Sequence, residues 1–169
     1  MLGWILDSEG QKIVEEAGVC YPEVGMHQVL FICVGNSSRS QMAEAFFNHL
    51  ARGRPDLSGV SAGTQPARAV DPNAVAVMAE LGIDMSGQSP KLLAREMVES
   101  ATRVISMGCG VQGSCPAWAQ PDEDWDLAGP HHQPVEVVRR IRDQIRVRVE
   151  ALVRELAGDN GDSPPPSLG

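Results

Sequence analysis

Cys33 and Arg39 enclose five residues in the segment Cys33-Val34-Gly35-Asn36-Ser37-Ser38-Arg39-Ser40. Five residues wound into a semicircle bring their backbone N–H groups towards one point, and an arginine at the end closes the ring with a planar fork able to grip two oxygens. A helix starting directly afterwards adds further N–H donors. Gly35 relieves the steric limit on such a curl. The arrangement suits a tetrahedral oxyanion held by Val34, Gly35, Asn36, Ser37, Ser38 and Arg39. The same donors stabilise a thiolate, and a thiolate beneath a bound oxyanion can attack its central atom in line. Ser40 is placed to hydrogen-bond the Cys33 sulfur, and Asn36 to brace the loop. The bland account of the same residues is a buried thiol at a strand end followed by a polar turn. A nucleotide loop ending in Gly-Lys-Ser/Thr does not occur here.

The flanking elements give that loop its setting. Residues 28–33, QVLFIC, form a compact apolar run of strand formers, the pattern of a buried parallel strand. After the loop, QMAEAFFNHLAR spaces Met42, Phe46 and Leu50 along one helical face. A strand–loop–helix order puts Cys33 at the carboxyl end of a strand, where open α/β sheets bind their ligands. A second strand is expected over 57–62, ending at Gly63. Asp71 and Pro72 read as N-cap and first residue of a helix with Ala74, Val77, Met78 and Leu81 inward and Gly82 closing it. Ser89 and Pro90 repeat that signal for a shorter helix to about Val98, and 103–107 is a third strand. Residues 108–133 show no sustained period, and a loop of that length is usually functional. From Pro134 to Leu156, apolar residues step by threes and fours into a long terminal helix. Ile5 to Val19 reads as a short amphipathic helix within an N-terminal extension, 1–26. The catalytic domain is then 27–157, and 158–169 is a Gly/Pro/Ser-rich tail expected to be disordered.

Of 169 residues, 43% are hydrophobic and 21% charged, which argues for a globular protein. With 14 basic against 22 acidic residues the net charge is −8, so general nucleic-acid binding is not expected, though a local anion site remains compatible. No apolar run reaches membrane-spanning length, and the N-terminus lacks the basic and apolar regions of a secretory signal. A cytoplasmic monomer is the expectation. Four cysteines are too few for a disulfide scaffold, leaving reactive, metal-binding or buried thiols. Cys109 and Cys115 have five residues between them, in a stretch holding Gly108, Gly110 and Gly113. A disulfide needs Cα atoms about 4.4–6.8 Å apart, which such a loop can reach. Phosphate-ester hydrolysis has no use for that pair; reducing an oxyanion requires electrons, which thiols supply. A zinc site with His131 and His132 fits poorly, since adjacent histidines do not easily point at one ion. Cys20 reads as incidental.

The stretch CVGNSSRSQMAEA resembles the phosphate-binding loop of low-molecular-weight tyrosine phosphatases and of the arsenate reductases that share their fold. The pieces SAGT (61–64), GIDMSG (82–87), VISMGCG (104–110) and DWDLAGP (124–130), followed by VRRIRDQI, resemble the reductases in particular. The resemblance spans about residues 27–155. It implies an α/β fold with a four-stranded parallel sheet flanked by helices and a redox loop before the C-terminal helix. It also implies arsenate reduction by a relay: Cys33 attacks arsenic, Cys109 attacks the Cys33 sulfur, and Cys115 then forms the Cys109–Cys115 disulfide, which thioredoxin reduces. No bound cofactor is implied. A related branch uses a small thiol and a glutaredoxin-like partner instead. The same loop is also compatible with a tyrosine phosphatase that reduces no arsenate, and with a non-catalytic oxyanion-binding module. In the resembled family an aspartate before a proline protonates the leaving oxygen. Gly129 stands at that position here, and Asp126 is the substitute candidate, Asp124 lying nearby. Ser38 replaces a further loop cysteine common in such reductases, and His131 and His132 replace the aromatic residues of the phosphatases. The resemblance also suggests a monovalent-cation site at Asn36 and Glu44, and a hydrogen bond from Ser61 to Asn36.

Overall fold

The computed structural model describes residues 3–6, 12–16, 19–22, 26–108 and 115–158. Strand β4 (His27–Cys33) is the hub. Its residues Val29 to Ile32 have no exposed surface, as expected of a parallel strand covered on both faces. Loop 34–38 leads into α1 (Arg39–Leu50), which returns the chain to β5 (Leu57–Gly63). Then follow α2 (Pro72–Ala79), α3 (Arg95–Ser100), β6 (Arg103–Ser106), the two-residue β7 (Glu123–Asp124) and α4 (Val135–Leu156). The strands pair in parallel in the order β5-β4-β6-β7, with Cys33 opposite Gly63 and Ile32 opposite Ser106. The four-stranded parallel sheet flanked by helices is therefore present.

Successive β4 side chains leave opposite faces. Val29 and Phe31 join Met42, Phe46 and Phe47 of α1, Val77 and Met78 of α2, and Val138, Ile141, Ile145 and Val149 of α4. Leu30 and Ile32 pack instead with Leu93, Val104 and Ala119. Phe31 meets Phe47 edge-on at 6.0 Å between ring centroids, and Trp125 at 5.8 Å. Full burial of an aromatic such as Phe31 contributes about 1.5–3 kcal/mol. This anchoring fixes the strand end that carries Cys33.

Asp71 caps α2 as the sequence suggests, its carboxylate accepting from the Asn73 N–H at 2.9 Å, and Gly82 has the left-handed φ of +75°. Two expected helices are corrected. Residues 90–94 are not helical, and α3 begins only at Arg95. Their backbone is committed elsewhere: Gly63 N–H donates to Lys91 O and Leu93 N–H to Gly63 O, each at 2.8 Å, and the Gln41 amide holds Ser89 O at 2.9 Å. The helix expected over Ile5–Val19 is replaced by an antiparallel sheet of β1 (Gly3–Leu6), β2 (Lys12–Glu16) and β3 (Val19–Pro22). Its Trp, Ile, Val and Tyr content favours strands, and the turn formers Asp7-Ser8-Glu9-Gly10 interrupt any helical period. Arg142 of α4 is buried, donating to Val77 O at 2.7 Å and Glu80 Oε2 at 2.9 Å. No helix among the described residues is long and apolar enough to cross a membrane. The tail 159–169 lies outside the described residues.

Candidate active site

The curl expected after Cys33 is present, and the segment after β5 holds it from outside. The carbonyls of Cys33, Val34, Gly35 and Ser37 accept from the N–H groups of Thr64, Gln65, Ala67 and Asp71 at 2.8–3.2 Å. In a planar trans peptide the N–H of the next residue points opposite to the carbonyl. Turning these carbonyls out therefore turns the amides of Val34, Gly35, Asn36 and Ser38 in. The Asn36 N–H confirms the direction, donating to the Cys33 sulfur at 3.1 Å. Ser40 Oγ lies 2.8 Å from the same sulfur, as expected. Two hydrogen-bond partners thus hold the buried sulfur in place.

Helix α1 starts without a side-chain cap at Ser38 and without an acidic residue in its first turn. Its N-terminal amides and dipole thus remain available to an anion in the loop. Ser37 Oγ and Ser38 Oγ are buried without a hydrogen-bond partner among the described residues. Arg39 is fixed by two carbonyls through Nη1, Met107 O at 2.6 Å and Leu127 O at 2.7 Å. That tether leaves its remaining N–H groups for oxygens in the cleft. The cleft above the loop encloses about 680 Å³ and is lined by Val34, Gly35, Arg39, Ala67, Gly108, Asp126, Leu127, Ala128, Gly129 and His131. No phenylalanine, tyrosine or tryptophan stands among these lining residues, and His131 is the one ring among them.

Asn36 is the brace, at the left-handed φ of +47°. Its Nδ2 donates to Ser40 Oγ at 2.8 Å, while Oδ1 accepts from Lys91 N–H at 2.8 Å and Gln41 Nε2 at 3.0 Å. Gly63 must be a glycine, because a Cβ there would stand 2.6 Å from Val34 O and 2.9 Å from Asn36 N.

These features have counterparts. The model of the family described as low molecular weight phosphotyrosine protein phosphatase matches residues 28–161. The chain belongs to that family. It is 40% identical over 135 residues to a glutaredoxin arsenate reductase from Synechocystis sp., covering 78% of this chain and all of that one. A solved arsenate reductase in the phosphate-binding state, also 40% identical, superposes with a TM-score of 0.68 over 78% of this chain and 99% of its own. A thioredoxin-dependent arsenate reductase from Corynebacterium glutamicum is 31% identical, with a TM-score of 0.66 over 82% of this chain and 65% of that one. Within the family, this chain falls among the arsenate reductases.

Several family-based expectations shift once the side chains are placed. Ser61 does not reach Asn36; its hydroxyl donates to Glu44 Oε2 at 2.7 Å. Asn36 Oδ1 already accepts from Gln41 and Lys91, which leaves the Ser61 hydroxyl to the carboxylate. Glu44 faces inward rather than to solvent, and its Oε2 also receives Gln88 Nε2 at 3.2 Å, with the Lys91 ammonium 3.6 Å away. The positive charge beside Glu44 is thus Lys91. No group of three acidic, histidine or cysteine residues among the described residues could hold a metal ion.

Asp126 does line the cleft, whereas Asp124 is taken up in the loop, its Oδ1 accepting from Gly108 N–H at 2.7 Å and Asp126 N–H at 3.1 Å. Trp125 is a core residue, and Trp118 is partly exposed under Arg95. Cys33 is a free thiol, and Cys115 is disulfide-bonded. Cys109 lies outside the described residues. Gln88 and Lys91 carry no sequence signal that marks them as parts of the site, and Gly63 and Gln41 lie in motifs of the resemblance without a role assigned to them. Gln41 gives the one available hint, a polar residue between Ser40 and the core residue Met42.

Proposed function

We propose that this chain reduces arsenate to arsenite, with Cys33 as the nucleophile, Val34–Ser38 amides and Arg39 as the oxyanion cradle, and Cys109 and Cys115 as the electron relay. The observation that carries the reading is the cradle itself: outward carbonyls, inward amides, and a buried sulfur held by Asn36 N–H and Ser40. The kinship with arsenate reductases directs the choice of oxyanion. A lining of small apolar residues around Arg39, Asp126 and His131, without phenylalanine, tyrosine or tryptophan, suits a small inorganic anion better than a phosphorylated ring.

In the proposed sequence the Cys33 thiolate attacks arsenic(V) and expels one oxygen as water. The Cys109 thiolate then attacks the Cys33 sulfur. The S–As bond breaks with its electron pair going to arsenic, which leaves as arsenite(III), and a Cys33–Cys109 disulfide forms. Cys115 attacks Cys109, restores the Cys33 thiolate and leaves Cys109–Cys115 oxidised. A disulfide at Cys115 beside a free Cys33 supports this order. A thioredoxin-type dithiol protein regenerates the pair by exchange. The name of the glutaredoxin-type relative, 40% identical, favours a second route in which a small thiol attacks the adduct directly and a glutaredoxin-like protein completes the cycle. The same cradle also accepts phosphate monoesters, and slow phosphatase activity is part of the proposal.

The test is single-turnover arsenite release without external reductant. Wild type releases about one arsenite per chain and loses two thiols, while Cys109→Ser and Cys115→Ser change the disulfide trapped. Multiple turnover with a thioredoxin system, and separately with a small thiol plus glutaredoxin, assigns the donor. Release of arsenite only when a small thiol is added selects the second route. Oxyanion binding without arsenite in either system reduces the protein to a binding module.

A further inference from the structure

Displacing an oxygen from arsenate by sulfur expels hydroxide, a poor leaving group unless a proton arrives in the transition state. Among the described residues lining the cleft, Asp126 and His131 are the side chains that can deliver one. They stand differently. Asp126 is next to Leu127, whose carbonyl fixes Arg39, and its own N–H is tied to Asp124. A carboxylate at that position opposes the positive charge of Arg39 and repels an anionic substrate. His131 enters from the far end of the same segment and stands over the loop backbone: a methyl group added to Gly35 would lie 3.9 Å from His131 Nε2. An imidazolium there attracts the oxyanion, and histidine is the side chain suited to giving and regaining a proton near neutral pH.

We propose that His131 is a catalytic residue, the general acid that protonates the oxygen leaving arsenate. The inference rests on the arsenate reading above. Cys33 thiolate, hydrogenarsenate dianion and His131 imidazolium give the Cys33–arsenate(V) dianion, water and neutral imidazole. The S–As bond forms, one As–O bond breaks, the leaving hydroxyl takes the imidazolium proton, and arsenic stays at +5 in this step. His131 is solvent-exposed, so water reprotonates it for the next cycle. Among the described residues, the charged and titratable groups around it are Arg39 and Asp126 in the cleft, with Asp71 and His132 along the adjoining groove. The imidazole also takes over a task that Gly129, without a side chain, cannot perform.

The experiment is the pH profile of single-turnover arsenite release by the full chain. Wild type shows a limb that falls as an imidazole loses its proton. His131→Gln lowers the rate by about 10²-fold and removes that limb, within the usual contribution of a general acid. Phosphate still protects Cys33 from alkylation in this variant, and added imidazole partly restores His131→Ala. His132→Asn, which suits the left-handed φ of +59° at that position, keeps the wild-type rate and limb. A wild-type profile in His131→Gln overturns the assignment, as does a limb abolished by Asp126→Asn and kept by His131→Gln. Wild-type protein that releases no arsenite at any pH, with or without a small thiol and glutaredoxin, overturns the arsenate reading, and this inference with it.

Discussion

Gly63→Ala tests whether the loop is held in shape by the strand end beside it. The new Cβ would meet Val34 O at 2.6 Å, Asn36 Cβ at 2.8 Å and Asn36 N at 2.9 Å. All three belong to the anion loop, two of them to its backbone. Nonbonded carbons rarely approach so closely, so the loop must retreat by roughly half an ångström. Overpacking of this kind costs about 1–3 kcal/mol. At about 2–4 °C per kcal/mol for a chain of this size, the melting temperature falls by about 2–12 °C. The displaced amides no longer converge on the anion, and a loss on the order of 10-fold in affinity follows if a 1 Å misplacement costs about 10²-fold. Gly59→Ala is the matched control on the same strand: its Cβ would press on the Phe47 ring at 3.0 Å and does not touch the loop. Thermal melting and phosphate titration calorimetry on both variants separate the two effects. Gly59→Ala loses stability and keeps phosphate affinity, whereas Gly63→Ala loses both. Unchanged phosphate affinity in Gly63→Ala, or equal losses in the two variants, would refute the reasoning.

Two further outcomes follow from buried polar contacts. Asn36→Ala removes three hydrogen bonds, two of them buried, leaves the Lys91 N–H without its acceptor and places alanine at a left-handed φ; a loss of about 2–4 kcal/mol is expected by denaturant titration, and a loss below about 1 kcal/mol contradicts the bracing role. Glu80 is held below the usual carboxylate range, first by its hydrogen bonds from Arg139 and then by that from Arg142, against the opposing effect of desolvation. A depressed folded-state pKa gives stability that is present above the ordinary glutamate value of about 4.3 and is lost as pH falls through the folded value. Melting curves taken downward through that range show this loss in wild type and a smaller one in Glu80→Gln; parallel curves would contradict it.

The sheet hub, α1, β5, the Asp71-Pro72 cap and α4 are legible in the sequence because each is written in local terms: a continuous apolar run, a helical period, a cap. The cysteine–arginine loop is legible for the same reason, since its chemistry lies within eight consecutive residues. What escapes depends on distant partners. Residues 90–94 carry a helix-start signal in Ser89-Pro90, yet their peptide groups go to Gly63, Gln41 and Asn36. Ser61 finds an acceptor other than the expected Asn36 because the saturation of Asn36 by Gln41 and Lys91 involves residues 5 and 55 positions away. The N-terminal strands show the converse: residue types with strand preference fall on a helical spacing that the polar stretch Asp7-Ser8-Glu9-Gly10 interrupts in the sequence.

The cradle itself is tested by the alkylation rate of Cys33 with iodoacetate as phosphate or arsenate is titrated in, the modified residue being located by peptide mass mapping. The buried sulfur lies beneath the proposed anion site, so saturable protection of Cys33 by phosphate is expected in wild type. Much weaker protection is expected in Arg39→Lys, which lacks the fork held by Met107 O and Leu127 O. A Cys33 alkylation rate indifferent to both anions, in wild type as in the variant, would mean that the loop is no oxyanion cradle.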